Sequence, residues 1–431
     1  MEQQNRTKKS GLFALLPIAV FLVIFLGSGI IIGDFYAMPT ILAFLIALAV
    51  ALVQNRKVKF DEKIQVMANG VGDSNIVTMC LVFLCAGAFS GAVSAAGGVE
   101  STVNLGLSVI PPSFAVPGLM VIACFISLSM GTSVGTITAL APIAVGISEK
   151  TNFPVTICLA AVVCGAMFGD NLSMISDTTI AAVKTQGCEM KDKFKENFII
   201  VLPAAVISVL IFFFITMGGE YTVEGNLDYN LLQVVPYILV LVGALVGLNV
   251  FLVLIGGTVV SLLVGVCLDT IPLNKIFSVV GEGVFSMYDI TVISIIVACI
   301  LGLVRNNGGI NFILNLIKKG IKSKKGAEIG IAGLALLIDA CTANNTVAIV
   351  IAGPIAKNIS EEYGVSSRRT ASLLDIFSSV GQGIIPYGAQ LLTAAAAAKI
   401  ASFEIMPFLF YPVLMGVSAI CFILFKKQEK K

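Results

Sequence analysis

Residues 116–148 read VPGLMVIACFISLSMGTSVGTITALAPIAVGIS, an apolar run interrupted by Gly131-Thr132-Ser133-Val134-Gly135-Thr136. Crossing a bilayer takes about 20 apolar residues in one helix. The arms on either side of the interruption have about 15 each, too few to cross alone. The segment therefore reads as a re-entrant hairpin that enters the membrane and leaves on the side it came from. A second hairpin of the same kind spans 327–356, broken at Cys341-Thr342-Ala343-Asn344-Asn345-Thr346. Two further apolar segments are long enough to cross but are broken midway. They are 154–183, broken at Gly169-Asp170-Asn171-Leu172-Ser173, and 370–398, broken at Gly381-Gln382-Gly383-Ile384-Ile385-Pro386.

Around these four breaks the chain is a membrane protein. Of its 431 residues 57% are hydrophobic and only 12% are charged, against roughly 25% charged in soluble domains. Unbroken helices are expected over 11–32, 36–53, 74–95, 198–217, 231–253, 255–270, 288–305 and 407–425. The first of these is too long for a signal peptide and lacks a small-residue cleavage site.

Lys and Arg in short loops set the orientation. Arg6, Lys8 and Lys9, then Arg56, Lys57, Lys59 and Lys63, then Lys184, Lys191, Lys193 and Lys195 are expected in the cytoplasm. So are Lys318, Lys319, Lys322, Lys324 and Lys325, Arg368 and Arg369, and Lys426, Lys427, Lys430 and Lys431. The stretch Gly97–Pro117, without Lys or Arg, and the acidic loop Glu220, Glu224, Asp228 are expected outside, with Lys275.

The halves resemble each other at an offset of 210 to 212: Lys63-Ile64 with Lys275-Ile276, Gly97-Gly98-Val99 with Gly308-Gly309-Ile310, Thr132 with Thr342, Pro142-Ile143-Ala144 with Pro354-Ile355-Ala356, and Gly169 with Gly381. Ordered matches at a near-constant spacing mark an internal repeat. Each half has five crossings plus one hairpin, and an odd number of crossings inverts the second half. The expected fold is an all-α polytopic membrane protein made of two inverted repeats, 1–217 and 231–431, joined by an external linker at 218–230, with discontinuous helices at the centre. Many secondary transporters build an alternating-access site this way.

Irregular backbone at membrane depth survives only where protein or water covers it, so the breaks are where chemistry is expected. Their oxygens suit a cation, and half-helix amides suit an anion. The groups that point to binding are Thr132, Ser133 and Thr136; Asp170, Asn171 and Ser173; Thr342, Asn344, Asn345 and Thr346; and Gln382. Asp177, Asp339 and Asp375 join Asp170 as carboxylates in or beside the breaks. No Lys or Arg is expected at comparable depth, and buried charges of this kind default to function. Capping of a half-helix is a second role open to Asp170 and Asp177, and pairing with hairpin hydroxyls is open to Asp375.

With no histidine in the chain, a proton handled near neutral pH must ride on a carboxylate or a displaced lysine. The ten cysteines show no CxxC spacing and read as small buried hydrophobes. No structural metal, cofactor, Walker A loop or nucleophile–base pair is expected, so neither an enzyme nor ATP coupling has support.

The run Gly169-Asp170-Asn171-Leu172-Ser173-Met174-Ile175-Ser176-Asp177-Thr178-Thr179 resembles the signature of the NhaC family of sodium/proton antiporters, and the following Thr185-Gln186-Gly187-Cys188-Glu189-Met190-Lys191-Asp192-Lys193 resembles a branch of that family. The chain departs from that signature at Asn171, Met174 and Ile180–Val183. The resemblance covers nearly the whole chain. It implies Na⁺/H⁺ exchange, with roles for Asp170, Ser173, Ser176, Asp177 and Thr178. Relatives that carry amino acids or carboxylates with sodium define the alternative. The partners implied are a bacterial inner membrane with both termini cytoplasmic, Na⁺, H⁺ and a small organic substrate if one is carried. Nucleic acid is not among them, and a homodimer is left open.

Overall fold

A computed structural model describes residues 12–32, 38–109, 111–174, 176–217, 226–246, 248–312 and 321–425. The expected loop charges Arg6, Lys8, Lys9, Glu220, Glu224, Lys318, Lys319, Lys426, Lys427, Lys430 and Lys431 lie outside the described residues, as do the ends of the first helices and most of the linker at 218–230. The described residues are helical, with no strand among them.

The first half runs α1 (Leu16–Ile32), α2 (Thr40–Val53), α3 (Phe60–Val71), α4 (Ser74–Ala95), α5 (Gly98–Val109), α6 (Ala115–Met130), α7 (Ser133–Thr151), α8 (Val155–Leu172), α9 (Asp177–Gln186) and α10 (Met190–Met217). The second runs α11 (Leu231–Leu245), α12 (Val250–Cys267), α13 (Ile276–Ser286), α14 (Tyr288–Asn306), α15 (Lys324–Thr342), α16 (Asn345–Tyr363), α17 (Ser367–Ile384), α18 (Ala389–Ala398) and α19 (Phe410–Phe425). Both expected hairpins, α6–α7 and α15–α16, are helix–turn–helix units. Both expected broken segments, α8–α9 and α17–α18, are interrupted, but later than expected: α8 continues through Leu172 and α17 through Ile384, so the gaps begin only at the last residues of the expected breaks 169–173 and 381–386.

Among the described residues, five stretches are long and apolar enough to cross a bilayer alone: Ile76–Ala95, Val155–Gln186, Met190–Met217, Val250–Cys267 and Leu273–Asn306. A bent pair, Ser367–Ala398 with Ser402–Phe408, would make a sixth. Where the other crossings were expected, the described residues hold shorter apolar helices, such as Thr40–Val53 and Phe410–Phe425. Lipid contact is written on α10, where Phe198, Ile199, Val206, Ile207, Leu210 and Phe214 are exposed. In water that stripe would cost far too much; in a bilayer it is the favourable surface.

One boundary and three helices differ from the sequence reading. The break expected near residue 254 falls earlier, because Asn249 caps α12, its Oδ1 accepting from Phe251 N at 2.9 Å. α3 and α13 are additional amphipathic helices in stretches read as loops. α3 carries Asp61 and Glu62 in its first turn, where the helix dipole favours acids. α13 lies on α4 because Gly87, Gly91 and Gly283 let the two backbones touch, as small residues do between membrane helices. α5 fills most of the stretch 97–117 that was expected outside, and takes the end of the linker, Asn104 Nδ2 donating to Asp228 O at 2.7 Å.

Packing sorts the helices into two groups, with α5 between them against α11 and α7. α6–α10 and α15–α19 form one body, in which α6 lies on α8, α15 on α17, and α10 on α19. The shorter partners cross between halves: α9 packs on α16, and α18 on α7. α1–α4 and α11–α14 form the flanking group, with α4 against α12 and α13 and α14 against α2 and α3.

Candidate ion and substrate site

The two hairpin tips are built alike. Gly131 ends α6 in the left-handed region (φ 68°), and Thr132 caps α7. Ala343 ends α15 in the same region (φ 47°), and Asn344 caps α16, its Oδ1 accepting from Val347 N at 3.0 Å. A left-handed alanine costs on the order of 1 kcal/mol that a glycine avoids, so this tip is held in place by its surroundings. The broken helices also correspond. Ser173 N returns to Gly169 O at 2.8 Å where α8 ends, and Ile385 N to Gly381 O at 2.9 Å where α17 ends. Ser176 and Gly388 then cap α9 and α18.

All four breaks open onto one cavity of about 350 Å³. Thr132, Ser133, Asp170, Ser176, Asp177, Thr178, Asn344, Asn345, Thr346 and Gln382 line it. The far wall belongs to the flanking group: Ser74, Thr78 and Val82 of α4, and Leu248–Phe251 before and at the start of α12. No Lys or Arg lines it among the described residues.

Asp170 is 5% exposed. Ser176 Oγ donates to its Oδ1 at 2.6 Å and Ser133 Oγ to its Oδ2 at 2.9 Å. From Ser133 a chain of hydrogen bonds crosses to the other half. Gln390 Nε2 donates to Ser133 Oγ at 3.0 Å, and Gln382 Nε2 donates to Gln390 Oε1 at 2.8 Å and to Ala343 O at 3.2 Å. The carboxylate is thus wired through both hairpin tips and both broken helices. Asp177, at the start of α9, is exposed within the same cavity.

Six expected site residues do not line the cavity. Thr136 turns back onto Thr132 O at 2.9 Å. Ser173 is buried in the break itself. Asn171 points away, its Nδ2 donating to Met167 O at 2.9 Å. Thr342 faces a second cavity, of about 490 Å³, between its hairpin and α3 and α14. Asp339 is fully buried against Gly381, and neither of its oxygens has a hydrogen-bond partner among the described residues.

Asp375 corrects the expectation of carboxylates without basic partners. Lys193, read as a cytoplasmic loop lysine, is 1% exposed, and its Nζ lies 2.6 Å from Asp375 Oδ2. Asn197 Nδ2 donates to the same oxygen at 2.8 Å. The partners are thus α10 side chains rather than hairpin hydroxyls. Two other expected loop cations are also buried. Lys63 Nζ donates to Leu52 O at 2.6 Å and Gln54 O at 2.8 Å. Arg369 joins Glu196 at 3.3 Å and Glu328 at 3.2 Å.

Sequence reasoning missed Lys193 and Asn197, although a signal exists. Extended back to Met190, α10 buries Lys193, Asn197, Ile200, Val201 and Ala204, a stripe at helical spacing. Gln390 sits just past a break and was within reach of the same argument as Gln382. Ser74, Thr78 and Asn249 come from helices with no break to draw attention.

A chain of apolar helices, with two hairpin tips and two interrupted helices meeting at one carboxylate-lined cavity, is a multi-pass membrane transporter. Comparison with known proteins narrows this. The model of the Na⁺/H⁺ antiporter family matches residues 3–218 and 194–427, and the chain belongs to that family. It is similar to the malate-2H⁺/Na⁺-lactate antiporter of Bacillus subtilis, 22% identical, with 94% of each chain covered. It is similar to the Na⁺/H⁺ antiporter NhaC of the same organism, 22% identical over 79% of this chain and 82% of that one. The arginine/ornithine antiporter ArcD of Halobacterium salinarum is 21% identical over 94% of this chain and 90% of its own. The resemblance to the NhaC family seen in residues 169–179 therefore holds.

Proposed function

We propose that the chain exchanges Na⁺ for H⁺ by alternating access, with the two ions competing for Asp170 and Asp177. The observation that carries this reading is the meeting of all four breaks at a cavity holding two carboxylates and, among the described residues, no basic side chain. Such a site attracts cations, and hydroxyl, amide and carboxylate oxygens suit a hard one. A carboxylate oxygen that takes up a proton no longer offers charge to Na⁺, so each ion drives off the other. The body of hairpins and broken helices then moves against α4 and α12, which form the opposite wall.

The test is a Na⁺ gradient imposed on proteoliposomes containing an internal pH dye, with no organic substrate present. A pH change on Na⁺ addition supports the antiporter. A silent dye, with uptake of a labelled amino acid or carboxylate that requires the gradient, overturns it. That second reading has its own observation: about 350 Å³ is far more than a bare ion fills, a water molecule's share of liquid being about 30 Å³. The caps of α7, α9, α16 and α18 could hold a carboxylate there, and two relatives carry organic substrates in their names.

The same reading includes the inverted repeat, with the termini in the cytoplasm of a bacterial inner membrane. Helix landmarks support a repeat: Gly131 and Ala343, Thr132 and Asn344, Ser173 and Ile385, and Asp177 and Ala389 share one spacing. A single cysteine at Ser323 should react with an impermeant thiol reagent from the cytoplasmic side only. Asn104, the natural choice outside, is 1% exposed; Ser108, on the exposed face of α5, should react from outside only. Labelling of both from one side would contradict the inversion.

A further inference from the structure

Lys193 is the most thoroughly enclosed cation among the described residues. It sits in the first turns of α10, one turn before Asn197 on the same buried face. The three ammonium hydrogens have three acceptors: Asp375 Oδ2 at 2.6 Å, Thr179 Oγ1 at 2.7 Å and Asn171 O at 3.0 Å. Asn197 Nδ2 reinforces two of them, reaching Asn171 O at 3.0 Å and Asp375 Oδ2 at 2.8 Å. Asn171 belongs to the last turn of α8, Thr179 to the first turn of α9, and Asp375 to α17. The last carbonyls of a helix lack donors within it, and here α10 supplies two to Asn171 O.

One side chain therefore joins both ends of the break and secures them to the second half. Asn171 immediately follows Asp170, whose carboxylate leaves the backbone toward Ser133 and Ser176. Turning Asn171 O away from α10 would turn Asp170 away from the cavity.

We propose that Lys193, with Asn197, is a positioning residue for the cavity carboxylate Asp170, and that Asp375 is the counterion of Lys193 and no ligand of the transported ion. The proposal rests on Asp170 being the cation ligand. It predicts that loss of the clamp weakens cation affinity more than turnover, because the carboxylate remains but is no longer held in place. Residues that orient a metal's ligands typically set about 10- to 100-fold in affinity.

The test is Na⁺ dependence of exchange in proteoliposomes, together with Na⁺-dependent thermal stabilisation of the purified protein. Lys193→Met alone leaves Asp375 buried without its cation and is expected to reduce yield, so the decisive variant is Lys193→Met/Asp375→Asn, which removes both charges. Its half-saturating Na⁺ concentration should rise at least about tenfold with the maximal rate within about threefold of wild type. Lys193→Arg should restore most of the affinity. Thr179→Val/Asn197→Leu leaves the ion pair in place, covers the case in which the double charge removal does not fold, and should raise the half-saturating concentration about threefold or more. Unchanged Na⁺ dependence in the folded variants would overturn the clamp, as would a lost maximal rate at unchanged affinity. If wild-type protein shows neither stabilisation by Na⁺ nor exchange, it is the assignment of Asp170 that fails.

Discussion

Asp170→Asn is expected to abolish Na⁺-driven proton movement, a loss of at least about a hundredfold, while leaving the protein folded. The substitution preserves volume and removes the charge. One of the donors now satisfied by the carboxylate, Ser133 at 2.9 Å or Ser176 at 2.6 Å, would face an amide NH₂ that cannot accept. Removing one member of a buried charge interaction costs roughly 3–5 kcal/mol, and each 1.4 kcal/mol is about tenfold in binding. Asp177→Asn should do less, because that side chain is exposed to the cavity and solvent screens its charge. Circular dichroism and size exclusion separate loss of exchange from loss of fold. Full exchange in both variants would remove the two carboxylates from the mechanism.

Gly169→Ala is expected to damage assembly first, and ion binding only through it. α6 and α8 approach so closely that a Cβ on Gly169 would overlap Cys124 O and lie 2.5 Å from Leu128 N and 2.6 Å from Ser127 Cβ. Two of these are backbone atoms of α6, so the helices themselves must separate. α6 carries the first hairpin tip, and its displacement would open the network at Ser133. A cost of about 2–3 kcal/mol follows from overpacking of this kind, visible as a lower melting temperature and poor yield. Gly118, on the same helix, has nothing within 4 Å of its Cβ direction. Gly118→Ala should be neutral or slightly stabilising, about 0.4–1 kcal/mol. Equal stability in the two alanine variants would contradict the packing described.

These two residues mark how much was legible in the sequence. The breaks could be read because Gly, Ser, Thr and Asn interrupt apolar runs that are otherwise continuous. Their meeting at one cavity was anticipated from the repeat. Asp170 and Asp177 stood out as charges in apolar surroundings. Lys193 did not, because a lysine following Lys191 in a polar stretch looks like a loop anchor until α10 is known to start at Met190. The unpartnered carboxylate inferred for Asp375 failed for the same reason: its partner is distant in sequence and lies on another helix. α3 and α13 were missed because their apolar faces are short and their charges resemble loop charges. Thr78 and Asn249 entered the cavity wall through tertiary packing, which no local pattern encodes.

The central claim, that Na⁺ and H⁺ exclude each other at Asp170, is tested most directly by adding Na⁺ to weakly buffered, purified protein and recording proton release. The account predicts release that saturates with Na⁺ and is absent in Asp170→Asn. It also predicts an apparent affinity that falls by up to about tenfold for each unit drop in pH in the acidic range. Na⁺ binding without proton release, or release undiminished in Asp170→Asn, would contradict it.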